Sequence, residues 1–388
     1  MTQVAVAFSS AQDSADAGRE LGAQIRSTLS ERAPDALILF ASSRYDYRAL
    51  LEALHSGCHP RLVVGCSSAG EFTSADSGAG GCSALALCSD SIKFSASIGR
   101  GVRNDHRTAV AEVVRGFTND TRERSRTALV FADPLSGYGE AMIQQLTLLT
   151  DGRYQFAGGG AGDDGKFEQT HVFYGRDAVP DALVALEMLY DEPIAISAAH
   201  GWRVDSAPMR VTEANGLSLR SLNAVPAADV YSDYADERAR TFDRTRPLPF
   251  FLHHVLGVDA GVGPPRLRVP LGIEPNGAIR CAAEVPAGAT VSIMQASVQS
   301  ATEAAQRATQ AALQQFNGAR PSVALFFDCV ATRLRMGEQF ALELSALHEA
   351  LPANVPFVGF NTYGQIVRAH GQFNGFHNCT AVVCLLPD

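Results

Sequence analysis

The sequence contains no long apolar run and no dense basic segment. A membrane-spanning helix needs about 20 consecutive apolar residues, and no window of this chain approaches that length. The formal net charge of −9 disfavours contact with the phosphate backbone of nucleic acids. The first eight residues carry neither a basic segment nor a long apolar core, so they do not resemble a signal peptide. These absences predict a cytoplasmic protein that binds neither membranes nor nucleic acid.

The sequence also lacks the motifs of common enzymes and metal sites. None of the eight cysteines forms a CxxC pair, and no residues cluster at the spacing of zinc ligands. The GxSxG, HExxH and SxxK motifs and the phosphate-binding P-loop are missing. Two candidates for catalysis remain, namely Cys66 as a nucleophile beside a histidine, and a carboxylate pair of Glu71 with Asp163. A small buried thiol is the simpler interpretation of Cys66, and we expect no enzymatic activity.

The sequence does contain a threefold repeat. Each copy has a short apolar strand, an amphipathic helix, a second strand that ends in a glycine-rich loop, and a further apolar strand. The copies begin near Asp35, Thr127 and Val323, and an Ala-Leu pair precedes the first loop glycine by 29, 30 and 35 residues. Nearly continuous apolar strands need cover on both faces. The pattern therefore predicts an α/β fold of repeated strand–helix–strand–glycine loop–strand units, with helices packed on mixed sheets.

The pattern changes between the second and third copies. Short alternating strands, broken by proline and glycine, run from Pro193 to about Ser297 and predict an antiparallel, β-rich block. A chain of 388 residues is too long for one compact core. We therefore expect two domains, residues 1–205 with two repeat units and residues 206–388 with the β-rich block and the third unit.

The three glycine loops are the best candidates for a binding site. Glycine lets the backbone adopt a positive φ or approach a ligand closely, although a tight turn between packed strands is the ordinary role of such a loop. Loops at equivalent places in a repeat tend to converge on one face, so we expect them to share a composite pocket. The residues expected to line this pocket are Gly65, Cys66, Ser67, Ser68, Glu71, Gly159, Asp163, Asn361, Thr362 and Tyr363.

Several segments resemble the FIST family of bacterial sensory domains. In chain order they are Val64–Glu71, Gly158–Asp164, His200–Trp202, Gly359–Ile366 and Phe376–Thr380. The first two are similar to the glycine loops of the family's N-terminal half, the third to the segment that closes that half, and the last two to the signature of the C-terminal half. The family usually has Glu where this chain has Gln365, so a charge carried by relatives is missing here.

Two adjacent histidines, His253 and His254, lie in an otherwise apolar segment from Pro249 to Gly257. On a strand, one of the two imidazoles would face the apolar side. Burying an imidazole is unfavourable unless it is hydrogen-bonded or bound to a metal. One interpretation is a core histidine bonded to a backbone carbonyl. The other is an axial haem ligand, because a neutral imidazole in an aromatic-lined cleft suits proximal ligation.

The resemblance adds expectations about ligand and partner. Within the family, the NosP subset binds haem, senses nitric oxide and shares this whole-chain architecture without an attached output domain. This chain ends at Asp388 with no recognisable output module. The resemblance therefore implies a stand-alone sensor with haem b as its cofactor. It also implies a separate histidine kinase or cyclic-di-GMP enzyme as partner. A homodimer is one assembly that we consider. No CxxCH motif occurs, which excludes covalent haem.

Two alternatives to the haem sensor remain open. One is a FIST sensor that binds a small metabolite, such as an amino acid, through the glycine loops without a metal. The other is an interaction scaffold, as FIST domains serve in some eukaryotic ubiquitin ligases. A Soret band in the purified protein would separate the haem sensor from the metabolite sensor.

Overall fold

The computed structural model describes residues 2–118, 125–192, 194–316, 320–369 and 374–388. Within these ranges the chain forms three α/β units of one plan and a β-rich block. The fold class predicted from the sequence is confirmed: mixed sheets, repeated units and an antiparallel block in the C-terminal half. The block (residues 200–297) is an insertion in the third unit, directly after the first strand of that unit.

Units 1 and 2 share one order of elements. Unit 1 consists of β1 (Thr2–Ser9), α1 (Ser14–Thr28), β2 (Ala36–Ser42), α2 (Tyr47–Cys58), β3 (Val63–Ser68), β4 (Glu71–Thr73), β5 (Ser77–Gly78) and β6 (Cys82–Ser89). Unit 2 consists of β7 (Lys93–Arg100), α3 (Val102–Arg115), β8 (Ser125–Ala132), a 3₁₀ turn (Pro134–Ser136), α4 (Gly139–Leu149), β9 (Gln155–Gly160), β10 (Val172–Tyr174), β11 (Asp177–Val179) and β12 (Ala182–Tyr190).

The third unit is divided by the block. Its first strand is β13 (Ala195–Ala199). The block then contributes β14 (Arg203–Val204), β15 (Met209–Asn215), β16 (Ser218–Leu222), β17 (Val225–Pro226), α5 (Ala227–Glu237), α6 (Leu248–Phe251), β18 (Val255–Val258), β19 (Arg266–Arg268), β20 (Pro270–Ile273), β21 (Ile279–Cys281) and β22 (Thr290–Gln295). Unit 3 resumes with α7 (Val298–Gln314), β23 (Pro321–Cys329), α8 (Val330–Met336), a 3₁₀ turn (Gly337–Gln339), α9 (Phe340–Ala350), β24 (Phe357–Thr362), β25 (Gln365–Arg368), β26 (Asn374–His377) and β27 (Ala381–Pro387).

The three units exchange hairpins in a cycle. Sheet 1 has the order β1-β6-β2-β3-β10-β11, sheet 2 the order β7-β12-β8-β9-β25-β26, and sheet 3 the order β13-β27-β23-β24-β4-β5. Each sheet therefore takes four strands from its own unit and a two-stranded hairpin from another. Unit 1 donates to sheet 3, unit 2 to sheet 1, and unit 3 to sheet 2. The sequence pattern assigns residues 171–174 as the closing strand of the second copy; in the structure β12 closes that unit and residues 172–174 belong to the exchanged hairpin.

This exchange bears on the predicted division at residue 205. Hairpin β4–β5 lies in a sheet otherwise built from residues 195–387, and hairpin β25–β26 lies in a sheet otherwise built from residues 93–190. Strands from both sides of the predicted boundary thus share two sheets. The two-domain division itself stays a prediction.

The first glycine of each loop is required by the packing of parallel strands. Gly65, Gly158 and Gly359 lie opposite Leu39, Val130 and Phe326 on the neighbouring strand of the same unit. A Cβ atom on these glycines would lie 1.9, 2.0 and 1.8 Å from the carbonyl oxygens of those partners. No side chain fits in that space, so the strand pair closes only on glycine.

The inner faces of the three sheets share one apolar core, and helices cover the outer faces. At its centre, Phe40, Phe131 and Phe327 occupy the same position in the three units. Their ring centroids are 5.4, 6.1 and 6.3 Å apart, mostly in edge-to-face contacts. Phe360 stacks on Phe40 at 4.3 Å. Each such buried ring stabilises the fold by about 1.5–3 kcal/mol.

The block is a separate antiparallel sheet with the order β19-β18-β22-β15-β16-β21-β20, in which β14 pairs with β22 and β17 with β16. Helix α5 packs on it and buries Tyr231. A search of the described residues for a helix long and apolar enough to cross the bilayer found no candidate.

His253 and His254 do not lie on a strand. Residues 248–251 form the short helix α6, and the backbone N–H groups of His253 and His254 donate to the carbonyls of Phe250 and Phe251 at 3.1 Å. Pro249 has no N–H to give to a strand ladder and favours the first turn of a helix. The two histidines therefore lie in the turn before β18, so the alternation of faces expected on a strand does not apply to them.

Candidate functional site

The three glycine loops meet in a closed ring. The N–H of Ala69 in loop 1 (residues 65–71) donates to the carbonyl of Asn361 in loop 3 (residues 359–365) at 3.1 Å. The N–H of Gly162 in loop 2 (residues 158–164) donates to Ser67 at 2.8 Å, and that of Tyr363 donates to Gly160 at 3.1 Å. Each bond joins the fifth residue of one loop to the third residue of another. The loops thus converge around a pseudo-threefold axis, which we call the loop ring.

The residues predicted to line a pocket lie within this ring, and nearly all of them are fully buried. Cys66, Ser67, Ser68, Glu71, Asn361 and Thr362 are 0% exposed, Asp163 is 2% and Tyr363 is 5% exposed. Gly65 and Gly159 are buried as well. The structure brings the three loops together and buries their side chains. Their part in ligand binding stays a prediction.

Glu71 and Gln365 hold equivalent places in the ring. Glu71 accepts hydrogen bonds from the Ser68 hydroxyl and, at 2.9 Å, from the Gly81 N–H. Gln365 donates to the Thr362 hydroxyl at 2.6 Å and accepts from the Thr380 N–H at 3.2 Å. Burial raises the pKa of Glu71 to about 8. Gln365 therefore occupies the same place as Glu71 but has no group that can ionise.

Asp163 joins loop 2 to loop 3. Its carboxylate accepts from the N–H groups of Phe167, Glu168 and Gln169 at 2.8, 2.7 and 2.9 Å, and from the Tyr363 hydroxyl. Three backbone donors satisfy a carboxylate and order the turn that follows it. Asp163 acts here as a structural anchor that positions Tyr363.

Arg333 joins loop 1 to loop 3. Its Nη1 donates to the carbonyls of Ala69 and Gly78 and to Oδ1 of Asn361, at 3.1, 3.3 and 3.3 Å. A Cβ at Gly70, whose φ is +136°, would lie 1.5 Å from this nitrogen. Sequence reasoning did not select Arg333, because it lies in α8, outside the glycine loops.

Cys66 does not have the surroundings of a nucleophile. Its side chain is fully buried beside the central rings, and burial raises the pKa of its thiol well above the ordinary value. A thiol that stays protonated is a poor nucleophile.

A cavity opens where the loop ring meets the β-rich block. Its volume is about 100 Å³, and it contains one predicted site residue, Tyr363, whose ring stacks on Phe167 with centroids 4.3 Å apart. The lining residues are Pro134, Leu135, Phe167, Leu217, Leu271, Arg280, Cys281, Ala282 and Tyr363. They come from unit 2, loop 3 and the block. The walls are mainly apolar, and Arg280, which is partly exposed to solvent, is the charged residue among them.

The sequence pattern missed most of this cavity. Leu217, Leu271 and Arg280 lie in the block, on short strands and turns with no motif of their own. Phe167 follows loop 2 by three residues, so an aromatic residue close behind a glycine loop was the one available signal. Convergence of the block on the loops depends on tertiary packing, which spacing along the chain does not encode.

The two histidines differ in their fitness for a haem ligand. Nδ1 of His254 donates to the Phe250 carbonyl at 2.8 Å and its Nε2 accepts from the Arg240 guanidinium. With both ring nitrogens engaged, His254 does not fit an axial ligand. The His253 side chain is exposed to solvent. Partial desolvation, together with the charges of Arg335 and Arg240, lowers its pKa, which favours the neutral imidazole that binds iron. Neither histidine lines the cavity at Tyr363.

Comparison with known families gives the class of the protein. The FIST N domain model matches residues 35–224, and the FIST C domain model matches residues 227–368. These matches identify a protein of sensory, ligand-binding domains. The chain belongs to the FIST family, and its two family domains adjoin inside the β-rich block, on either side of β17.

Other comparisons add little. No curated protein matches the sequence. Among solved structures, "T. maritima PurL complexed with AMPPCP" is 13% identical, with 100% of this chain and 72% of that chain covered and a TM-score of 0.25. "T. maritima PurL complexed with FGAR" is 11% identical with the same coverage and a TM-score of 0.26. Scores this low support no conclusion about the present chain.

Proposed function

We propose that this FIST protein is a sensor of a small organic ligand, which binds in the cavity between the loop ring and the β-rich block. The observation that carries the proposal is the composition of the cavity wall, which joins loop 3, unit 2 and the block around Tyr363. Ligand sites favour such junctions between packed units. A ligand there touches parts of the protein that are distant in sequence.

The wall indicates the class of ligand. Leu217, Leu271 and Phe167 favour an apolar body, and Arg280 favours a carboxylate, since guanidinium groups bind carboxylates through paired donors. A volume of about 100 Å³ suits a molecule of a few heavy atoms. An apolar amino acid or a short carboxylic acid meets these conditions.

The site also suggests how binding would be passed on. The ligand would contact the block on one side and the Tyr363–Asp163 link on the other. Occupancy would therefore bias the position of the block against the loop ring. We propose that this change is read by a separate partner, a histidine kinase or a cyclic-di-GMP enzyme, as the family resemblance implies.

The test is ligand-dependent stabilisation. We expect one or more apolar amino acids or short carboxylic acids to raise the melting temperature, and Arg280→Gln to weaken that ligand at least about tenfold through loss of a charge-assisted bond. Arg220→Gln is the matched control, because Arg220 is an exposed arginine on the same block that pairs with Glu213. No stabilisation by any compound of these classes, or equal binding by Arg280→Gln, would contradict the proposal.

Haem at His253 is a second candidate. It is favoured by the lowered pKa of the His253 imidazole, and Arg240 and Arg335 would balance the propionates. Bound haem would supply an iron able to take up a diatomic gas such as nitric oxide.

This candidate predicts different spectra for the two histidine variants. In protein purified after growth with added haem, His253→Ala should lose or shift the Soret band, while His254→Ala should retain it. Circular dichroism of both variants controls for folding. A wild-type protein that never takes up haem would eliminate this candidate and leave the cavity at Tyr363 unaffected.

A further inference from the structure

Two cysteines that are 50 positions apart in the sequence meet at the end of sheet 3. Cys329 is the last residue of β23 and the N-cap of α8, and Cys379 lies in the turn before β27. Strands β23 and β27 pair antiparallel, with Phe327 opposite Val382, so the ends of the two strands are adjacent. Both side chains belong to one apolar cluster, and the two thiols are close enough for each to shift the pKa of the other.

The surroundings make the two thiols unequal. The hydrogen bond from the Cys379 thiol, together with the N–H groups of Cys379 and Ala331 and the Gln365 side chain, lowers the pKa of Cys329 to about 7. The same thiol–thiol bond, with burial, raises the pKa of Cys379. By contrast, burial raises the pKa of Cys384 on β27 to about 12.

The turn that holds Cys379 connects the block to the loop ring. The N–H of Val269 in the block donates to Oδ1 of Asn378 at 3.2 Å, and the N–H of Thr380 donates to Gln365 of loop 3 at 3.2 Å. A change in the bonding of Cys379 therefore acts on both neighbours at once.

We propose that Cys329 and Cys379 form a redox-active dithiol, which a small hydroperoxide oxidises to a disulfide. The Cys329 thiolate attacks one peroxide oxygen, the O–O bond breaks, and the released hydroxide takes up a proton to leave as water. The Cys379 sulfur then attacks the resulting sulfenic acid of Cys329. A second water leaves with the Cys379 proton, so two thiols lose two electrons and the peroxide gains them.

Burial selects the oxidant. Cys329 and Cys379 are only 3% and 4% exposed, so the proposal requires an oxidant as small as hydrogen peroxide and not a protein partner. The disulfide would hold the turn at residues 378–380 against the end of β23. That link limits how far the block can move relative to loop 3.

The test is mass spectrometry of the folded wild-type protein treated with hydrogen peroxide. We expect a loss of two mass units and one cross-linked peptide pair containing Cys329 and Cys379, with reversal by a dithiol reductant. Digestion after alkylation of the remaining thiols identifies the pair without any variant. Absence of this cross-link in folded protein, or a cross-link between other cysteines in its place, would overturn the proposal.

Variants add a second measurement. Cys329→Ser and Cys379→Ser should each abolish the two-unit mass loss, and oxidised wild type should melt several degrees above both. Cys384→Ser is the matched control, because Cys384 is buried in the same sheet; it should oxidise like wild type. A Cys384→Ser protein that fails to cross-link would also contradict the pairing.

Discussion

Glu71 and Gln365 occupy the same place in units 1 and 3, and each bonds to one hydroxyl group and one backbone N–H. Only the acid can ionise. Because burial raises the folded-state pKa of Glu71 to about 8, the folded protein holds this proton more tightly than the unfolded chain. The stabilisation from that proton is complete below the unfolded pKa near 4.5 and is lost as the pH rises through about 8.

Glu71→Gln should therefore change the pH dependence of stability. The amide can donate to Ser68 and accept from Gly81, as Gln365 does with its own partners. We expect the variant to match wild type near pH 5 and to exceed it by more than about 1 kcal/mol at pH 8. Denaturant unfolding at both pH values measures the difference, and Glu52→Gln on the exposed face of α2 is the control. A constant difference between variant and wild type would contradict the assignment.

The glycine loops illustrate the role of single elements. Gly364 has a φ of +139°, and a Cβ there would lie 2.2 Å from the Phe376 ring. Gly159 has no such φ, but its Cβ would lie 2.6 Å from the Thr362 methyl group and 3.0 Å from the Gly364 carbonyl. Backbone conformation and packing both exclude a side chain at Gly364, whereas packing alone does so at Gly159.

We predict a graded effect of valine substitution. Gly364→Val should cost at least about 3 kcal/mol or prevent folding, while Gly159→Val should cost about 1–3 kcal/mol through overpacking. Gly272→Val is the control, since nothing lies within 4 Å of its Cβ position. Melting curves of the three variants rank these costs. If Gly364→Val melted like the Gly272 variant, the loop ring would not need its glycines.

The sequence was informative where structure is local. The helices and the strands around each loop followed from apolar periodicity, and the glycine positions followed from the repeat. The Ala-Leu pair used to align the copies is shifted by one residue in unit 1, because Leu37, not Ala36, is the counterpart of Ala128 and Ala324 in the strand pairing. Hairpin exchange could not be predicted, because pairing between β3 and β10 joins strands about a hundred residues apart.

The part of the candidate site that lies in a glycine loop could be predicted from the sequence, because it too is local. Tyr363 was selected because it belongs to a glycine loop. Arg280 and Leu217 contact the cavity only through the packing of the block on that loop. Likewise, Cys329 and Cys379 have no sequence motif, since strand pairing alone brings them together.

At the scale of the whole molecule, hairpin exchange makes the three units interdependent. Sheet 2 is incomplete without β25–β26, and the β4–β5 hairpin has no sheet without unit 3. Trp202 reports on the packing of the block against unit 3, where its ring lies 5.3 Å from the Arg335 guanidinium.

We therefore expect one cooperative unfolding transition for the full chain. Circular dichroism and Trp202 fluorescence should give coincident curves. A fragment of residues 1–205 lacks β25–β26 and the sheet that receives β4–β5, so it should show no cooperative transition. A fragment that melts like the full chain would contradict this interdependence and support an independent N-terminal domain.

The cyclic exchange has one more consequence. If one unit were made as a separate chain, its donated hairpin and the sheet edge that receives a hairpin would both be unpaired. Two copies could not pair every hairpin with a sheet edge in a closed ring of this geometry. Three copies would, as a domain-swapped homotrimer with every edge paired. In the present protein, tandem fusion has turned that association into an intramolecular one, independent of protein concentration. Fusion also frees each copy to diverge, so that the third carries an inserted block and a pair of thiols, and the first a buried acid.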